Sequence, residues 1–335
     1  MVARPSPASL GLAFLGCGRA TEMHSRTLKR LGLGLRLHYA SRDPARAARL
    51  RQRHRGAGVF TSYEKAIADP GIDVVLVTTP PALHLDQTVQ ALRAGKHVIV
   101  EKPAFLQPED VAVVGTEAHR AGRRVCVAEN YCYKPLRVRL VRLLEEGLIG
   151  EPLFLQINAV KHQQAEGWRN EPALAGGGAL FEGGIHWIHL MSNLGLEVRR
   201  VTGYLPGAGA PESDRERSVL VVVEYAGGAV GTLSYSWEVP SPLRGVRISR
   251  IYGRLGSVTF ESNGIFTFVH GRRTRCGIPG LVDIAGYRSM FRDFIDAIRT
   301  EREPKMTLDM AERDLRLVRD IYRSIAGRTP AEGRA

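Results

Sequence analysis

The 335-residue chain reads as two fold classes in succession: a doubly wound α/β domain with a parallel sheet over residues 1–130, then an α+β domain with a large, mostly antiparallel open sheet over 131–335. Three observations predict this. Short apolar runs alternate with helical stretches through the first third of the chain. Longer strand-like runs joined by tight glycine turns follow, and two helices close the sequence.

In the first domain the strand candidates are Leu10–Leu15, Leu35–Ala40, Val74–Thr78, Val98–Val100 and Val125–Ala128. Between them lie the helix candidates Met23–Leu31, Pro44–His54, Tyr63–Ala68, Leu83–Ala94 and Pro108–Ala121. Strands separated by helices of that length need crossover connections and therefore pair in parallel. Gly32, Gly95 and Gly122 stand where helices end. The second domain opens on a helix, Pro135–Glu146, and continues in strands: Glu151–Val160, Val198–Tyr204, Ser218–Tyr225, Ala229–Trp237, Gly245–Tyr252, Ser257–Glu261 and Ile265–His270. The turns Ala226-Gly227-Gly228 and Asn263-Gly264 predict antiparallel hairpins. Ser289–Thr300 and Leu308–Ile325 are the closing helices, the second with a clear apolar face.

Composition narrows the function classes. Apolar content of 44% and charged content of 24% suit a globular chain, and no apolar run is long enough to span a bilayer. The net charge of +13 is mostly arginine, scattered rather than striped and without interleaved aromatics, so a solvated basic surface is expected in place of a nucleic-acid interface. A few of those arginines suit a phosphate-bearing cofactor. Cys17, Cys126, Cys132 and Cys276 show no Cys-x-x-Cys spacing, which predicts buried free thiols in a reducing compartment. Leu10–Cys17 has the outline of a lipoprotein signal, with Arg4 as its only charged side chain upstream, but the glycine spacing there has a better explanation, and the expected location is cytoplasmic.

That explanation is a dinucleotide site. Gly16-Cys17-Gly18-Arg19-Ala20-Thr21 follows a buried strand and opens a helix. Gly16 permits the tight turn and Gly18 lets backbone approach a pyrophosphate at the helix N-terminus, with Thr21 where a third glycine is usual. The second strand runs into Ser41-Arg42-Asp43-Pro44. Asp before Pro is an N-cap followed by the first helical residue, so Asp43 is engaged at the helix start. Ser41 and Arg42, with Arg46 one turn on, are left for the ribose, and a guanidinium with a hydroxyl suits a 2′-phosphate; NADP is therefore expected over NAD.

These motifs and several later ones resemble the glucose–fructose oxidoreductase and inositol dehydrogenase family (Gfo/Idh/MocA), along nearly the whole chain. The resemblance runs through Gly16 to His24, Thr78-Thr79-Pro80-Pro81-x-x-His84, Ala94-Gly95-Lys96-His97-Val98 and Glu101-Lys102-Pro103. It continues through Val127-Ala128-Glu129-Asn130-Tyr131, Trp168-Arg169, Gly176 to Leu180, Gly184-Ile185-His186 and the segment from Phe294 through Pro304 to Tyr322. It implies a Rossmann domain, a sheet domain whose open face makes a homodimer or homotetramer, and chemistry on sugars or polyols. It also implies cofactor contacts at Arg19, Ala20, Thr79, Pro80, His84, Glu101 and Lys102, with Lys102 beside the nicotinamide on a cis Lys-Pro bond. His186 would be the proton-transferring residue. The chain departs from the family pattern at Glu182, where Asp is usual, and at His189, where a second Asp is common.

The chemistry of these residue types agrees. Moving a hydride between carbon and a nicotinamide requires a proton to leave or join the oxygen, a task for a group titrating near neutrality such as His186. The ammonium of Lys102 can stabilise a developing alkoxide. Glu182 and His186 are four apart and share a face if the segment is helical, so the carboxylate can orient the imidazole. Asn130, Tyr131, Lys161, Trp168, Arg169 and His189 are candidate substrate contacts by position. Other readings stand beside these: Lys102 as a surface cation, His186 as a packed core histidine, Tyr235 and Trp237 as sheet packing or a subunit interface. His186, His189, Glu182 and His162 bear metal-ligating atoms, but no further motif completes a ligand set, so no metal is expected. The expected function is an oxidoreductase acting on a carbohydrate-like hydroxyl or ketone; the alternative is a non-catalytic NAD(P)-binding regulator on the same fold.

Overall fold

A computed structural model of the chain describes residues 9–207, 215–240 and 245–327; Arg4 lies outside them. The chain divides into two compact units. One runs up to Glu129 and takes up Tyr287–Ala311; the other comprises Asn130–Gly286 and the chain from Glu312.

The first unit holds a six-stranded sheet made of β1 (Leu10–Leu15), β2 (Leu35–Ala40), β3 (Gly58–Phe60), β4 (Val74–Val77), β5 (His97–Val100) and β6 (Val125–Val127). The spatial order is β3-β2-β1-β4-β5-β6 and every pair is parallel. This is the doubly wound order of a dinucleotide-binding sheet, whose strands reverse direction of progression at β1. Residues Leu12–Leu15 and Val74–Val77 are wholly buried, as parallel strands covered on both faces must be. The connecting helices are α1 (Arg19–Leu31), α2 (Pro44–His54), α3 (Tyr63–Ala68), α4 (His84–Arg93) and α5 (Glu109–Ala121). The expected strands and helices are present within a few residues, and β3, a three-residue edge strand, is an addition.

The second unit contains α6 (Pro135–Glu145) and an eight-stranded sheet: β7 (Pro152–Val160), β8 (Val198–Tyr204), β9 (Ser218–Tyr225), β10 (Val230–Ser236), β11 (Ile248–Gly253), β12 (Gly256–Glu261), β13 (Thr267–His270) and β14 (Arg275–Gly277). The order is β14-β13-β12-β11-β7-β10-β9-β8, antiparallel except where β10 lies parallel to β7. One face of alternate residues, including Leu155, Ile157, Val221, Leu233 and Ile251, is buried. A short α7 (Pro172–Ala175) precedes a π-helical turn, Leu180–Gly184, that runs straight into α8 (Ile185–Ser192). This segment covers the sheet closely: a Cβ on Gly183 would stand 2.2 Å from the Tyr235 hydroxyl, and one on Gly231 2.8 Å from Met191 Cε. Tyr235 and Trp237 are accordingly buried, the indole donating to the Tyr235 hydroxyl at 2.9 Å, which makes them sheet packing within the unit.

Of the closing helices α9 (Tyr287–Thr300) and α10 (Leu308–Ala326), α9 clusters with the first unit and most of α10 with the second, where the sequence predicts everything after residue 130. α9 belongs with the first unit because its residues pack there. Tyr287 and Phe291 stand edge-on to His24 of α1, Arg299 donates to the Leu33 carbonyl at 2.7 Å, and Arg124 reaches the Glu301 carbonyl and the Glu303 carboxylate. All four cysteines are free thiols, Cys126 and Cys132 buried, Cys17 half-buried and Cys276 exposed, so the expectation of uniformly buried thiols fails at Cys276. Among the described residues no helix is long and apolar enough to cross a membrane.

Candidate functional site

In the first unit the glycine turn is built as the spacing requires. Gly16 has φ +105°, and a Cβ there would press to 3.0 Å from the Thr78 carbonyl oxygen, so both backbone conformation and space call for glycine. Gly18 is different. Its backbone is extended (φ −95°, ψ −163°), it caps α1 with no side-chain hydrogen bond, and a Cβ on it would meet nothing within 4 Å. The uncapped first turn of α1 beside open space is what a pyrophosphate requires, since helix N-terminal N–H groups and the dipole favour an anion. Thr21, where a third glycine is usual, is fully buried and donates to the Gly16 carbonyl at 2.7 Å while meeting the Thr78 hydroxyl at 2.9 Å. It ties the helix to the turn by a side chain instead of by close packing of a glycine.

The end of β2 bears out the local argument about Asp43. Its Oδ1 accepts from the N–H groups of Ala45 (3.0 Å) and Arg46 (3.3 Å), and its Oδ2 meets Arg46 Nε at 3.1 Å. Ser41 Oγ in turn accepts the Asp43 N–H at 3.0 Å. Burial pushes the Cys17 thiol up to about 11, and the thiol meets the Ala40 carbonyl at 3.6 Å, which joins the glycine turn to the end of β2. Arg42 is exposed, and its charge works against the burial that raises the Tyr63 phenol.

After β5 comes Glu101-Lys102-Pro103, with the Lys102-Pro103 peptide cis. The Glu101 carboxylate bonds His24 Nε2 with one oxygen and accepts the Lys102 backbone N–H at 3.0 Å with the other. Burial works to raise this carboxyl, but the His24 bond and charge and the Lys102 charge outweigh it and hold the group below the ordinary carboxylate range. His84 was expected to contact the cofactor; it is 1% exposed, with Nε2 2.8 Å from the Thr79 carbonyl and Nδ1 3.0 and 3.1 Å from those of Pro103 and Ala104. Its ring is thus occupied in joining the Thr79 turn to the segment after Lys102. Burial lowers its pKa despite those carbonyls.

In the second unit the structure gathers Tyr131 and His186. The imidazole stacks on the Tyr131 ring, centroids 4.7 Å apart and planes within 13°, while Trp187 meets Tyr131 edge-on at 5.2 Å. Lys134, a buried residue with no sequence signal beyond its place three residues after Tyr131, sets its ammonium 4.2 Å from the Tyr131 ring centre. Asn130 is buried and its amide donates to the Ala285 carbonyl at 2.6 Å. A second group joins Trp168, Arg169 and Glu182. Arg169 Nε donates to Glu182 Oε1 at 2.6 Å, its guanidinium lies over Trp168 at 4.5 Å, and its carbonyl accepts from Arg215 at 2.6 Å. Glu182, expected to orient His186, sits on the π turn and receives Arg169. Lys161 is half-buried, its backbone N–H bonded to the Ser236 carbonyl at 2.9 Å.

His189 was expected among the substrate contacts and is placed elsewhere. It is fully buried, with Nδ1 2.7 Å from Asp314 Oδ2 on α10, in a network with Ser192 and Asn193. On α8, apolar nearly all round, His186 is half-buried whereas His189, three residues on, is taken wholly into the helix packing. Among the described residues no group of three or more His, Cys, Asp or Glu is disposed to hold a metal ion.

Known proteins place this geometry in context. Residues 10–129 match the family model described as an oxidoreductase family, NAD-binding Rossmann fold, and residues 138–259 match the GFO/IDH/MocA C-terminal domain. The levoglucosan dehydrogenase of Pseudarthrobacter phenanthrenivorans is 25% identical over 324 residues, covering 84% of this chain and 80% of that one. Inositol 2-dehydrogenase 2 of Saccharopolyspora erythraea is 26% identical over 310 residues, covering 89% and 85%. The 1,5-anhydro-D-fructose reductase of Ensifer adhaerens is 35% identical over 130 residues, 38% of each chain. Among solved structures, GenD2 from gentamicin A biosynthesis, in complex with NAD, superposes with TM-score 0.83 at 27% identity over 97% of both chains. Levoglucosan dehydrogenase with NADH and levoglucosan has the same fold, with TM-score 0.84 at 22% identity over 95% of this chain and 97% of that one. With one family model on the glycine turn and its sheet and another on the strand-rich half, the chain belongs to the GFO/IDH/MocA family of NAD(P)-dependent oxidoreductases.

Proposed function

We propose that the protein uses NADP(H) in preference to NAD(H) to interconvert a secondary hydroxyl and a ketone on a sugar- or polyol-like substrate. The observation that carries the substrate class is the imidazole of His186 stacked on Tyr131, in the same unit as the Arg169–Glu182 pair over Trp168. Rings pack against the C–H faces of a carbohydrate, and paired charged groups hydrogen-bond its hydroxyls. The relatives' names, levoglucosan dehydrogenase and inositol 2-dehydrogenase, support the same class.

The cofactor would rest its pyrophosphate on Gly16–Gly18 and the first turn of α1, near Arg19 and Ala20, with Thr79 and Pro80 on the neighbouring turn. Asp43 is committed to capping α2, so the adenosine ribose would meet Ser41, Arg42 and Arg46, which favour a 2′-phosphate. A bound nicotinamide supplies a hydride acceptor or donor. Lys102 stabilises negative charge on the substrate oxygen, and His186 takes up or returns its proton. Glu182 anchors Arg169, and the pair orients the substrate hydroxyls.

The open sheet face bears Phe154, Leu220, Ile248 and Phe268, each at least 39% exposed, which supports assembly of two or four copies through the sheet; light scattering that yields only the monomer mass counts against it. The main test is a screen of sugars and polyols followed by reduced-nicotinamide absorbance, with NADPH and NADH titrated by fluorescence. Binding of NADPH about tenfold or more tighter is expected from a charge-assisted phosphate contact. Equal or tighter NADH binding refutes the cofactor preference, and no turnover across the screen returns the regulator reading.

A further inference from the structure

We infer that His24 is a positioning residue for Lys102, acting through Glu101. The inference rests on the reading that Lys102 meets the reacting oxygen. His24 lies on α1, the helix capped by Gly18, and is fully buried. Its Nε2 bonds Glu101 Oε1, and Glu101 Oε2 accepts the Lys102 N–H at 3.0 Å. The rest of the ring faces hydrocarbon: Tyr287 and Phe291 stand edge-on at centroid distances of 5.6 and 5.0 Å. Its Nδ1 is buried and has no hydrogen-bond partner among the described residues.

The orphaned nitrogen is the informative feature. A buried polar atom left unpaired is costly, and an apolar ring of the same shape would fill this aromatic pocket without it. What histidine adds is the Nε2 contact with Glu101. That contact stops the carboxylate from rotating, and the fixed carboxylate holds the Lys102 backbone at the point where the chain leaves β5. The direction in which the Lys102 side chain departs is set by that backbone. α1 is itself anchored one turn earlier, where Thr21 joins Gly16 and Thr78. One helix therefore presents its N-terminus to the cofactor and, through His24, sets the position of the lysine.

The test compares His24→Phe, which keeps a ring and loses the donor, with His24→Gln, whose side-chain amide extends a donor to similar reach. Two readouts are taken on the full-length protein: the Lys102 backbone amide resonance in a sample labelled with 15N-lysine, and kcat alongside NADPH affinity. We expect His24→Phe to shift the Lys102 amide and lower kcat on the order of tenfold, as small displacements of reacting groups do, with NADPH affinity nearly unchanged. His24→Gln should recover both. An unmoved Lys102 amide in His24→Phe overturns the inference whatever kcat does, and so does normal turnover of His24→Phe when Lys102→Ala is crippled. A moved amide with normal turnover in both His24→Phe and Lys102→Ala keeps the link and refutes the reading of Lys102. Should His24→Phe fail to fold, Glu101→Gln offers one acceptor oxygen to two donors and is read by the same amide.

Discussion

The glycine turn of the first unit and the ring cluster of the second are assembled from different materials. Around Gly16–Gly18 the groups on offer are backbone N–H groups at a helix start and the Gly16 carbonyl, which is held by the hydroxyls of Thr21 and Thr78. In the second unit they are side chains: the stacked rings of Tyr131 and His186 with an ammonium over one of them, and, as a separate group, an arginine held by a carboxylate. A backbone site tolerates any side chain that does not intrude and is sensitive to a single methyl group where one does. A side-chain site depends on the identity of each ring and charge. The two regions should therefore respond to substitution in opposite ways.

The largest effects are expected at the two residues proposed to meet the reacting oxygen. His186→Ala and Lys102→Ala should each lower kcat by about 10²–10⁴, the range for losing a proton-transfer or charge-stabilising group, while NADPH affinity stays within a few-fold. Near-normal turnover of a true substrate by both variants would place the chemistry elsewhere.

Next come the two glycines, which separate space from strain. Gly18→Ala puts a methyl group into open space on an extended backbone, so thermal stability should fall by less than about 1 kcal/mol. On the proposed placement of the cofactor its affinity should fall about tenfold or more, because the methyl would stand where the pyrophosphate is to approach. Gly16→Ala should instead destabilise the fold by about 1–3 kcal/mol, given its positive φ and its contact with Thr78. Equal behaviour of the two variants in denaturation and titration would break the comparison.

In the ring cluster, Tyr131→Leu removes the stack on His186 and the Lys134 contact, and should cost about 1 kcal/mol of stability and a few-fold in kcat. Tyr131→Phe should be nearly silent. A hydroxyl requirement revealed by an impaired Phe variant would mean that Tyr131 acts by hydrogen bonding.

The smallest effect at neutral pH concerns His97 at the start of β5. Burial first, then Arg123 and Arg124, lower its pKa from 6.5 to about 4. Its Nδ1 accepts the Arg124 N–H at 3.1 Å, which requires the neutral ring. Because the folded value is depressed, this contribution is complete above pH 6.5 and is lost as pH falls toward 4. Melting temperatures recorded from neutral to mildly acid pH should show His97→Gln declining less steeply than the unmodified protein; parallel curves would refute the assignment.

What the chain revealed by itself is local and repetitive. Apolar runs of four to six residues between helices declare a parallel sheet because both faces of each strand must be covered. Asp43-Pro44 declares a helix start because the same few atoms always satisfy those N–H groups. Short edge strands such as β3 and β14 have too few residues to show a period, and the π turn at Leu180–Gly184 leaves no mark of its own in the sequence.

Tertiary structure alone decided the pairings between distant residues. His189 and Asp314 are 125 positions apart and His24 and Glu101 are 77 apart, so no spacing rule joins them. The same holds for α9, whose place in the first unit depends on which surface of α1 its rings cover. Glu182 shows the division within one side chain: its chemistry was legible as a carboxylate near His186, but its bond to Arg169 depends on how a turn after β7 lies against the π helix. Backbone conformation follows from neighbours in sequence. Hydrogen bonds between buried side chains follow from which surfaces must be hidden from water, and only the folded chain determines that.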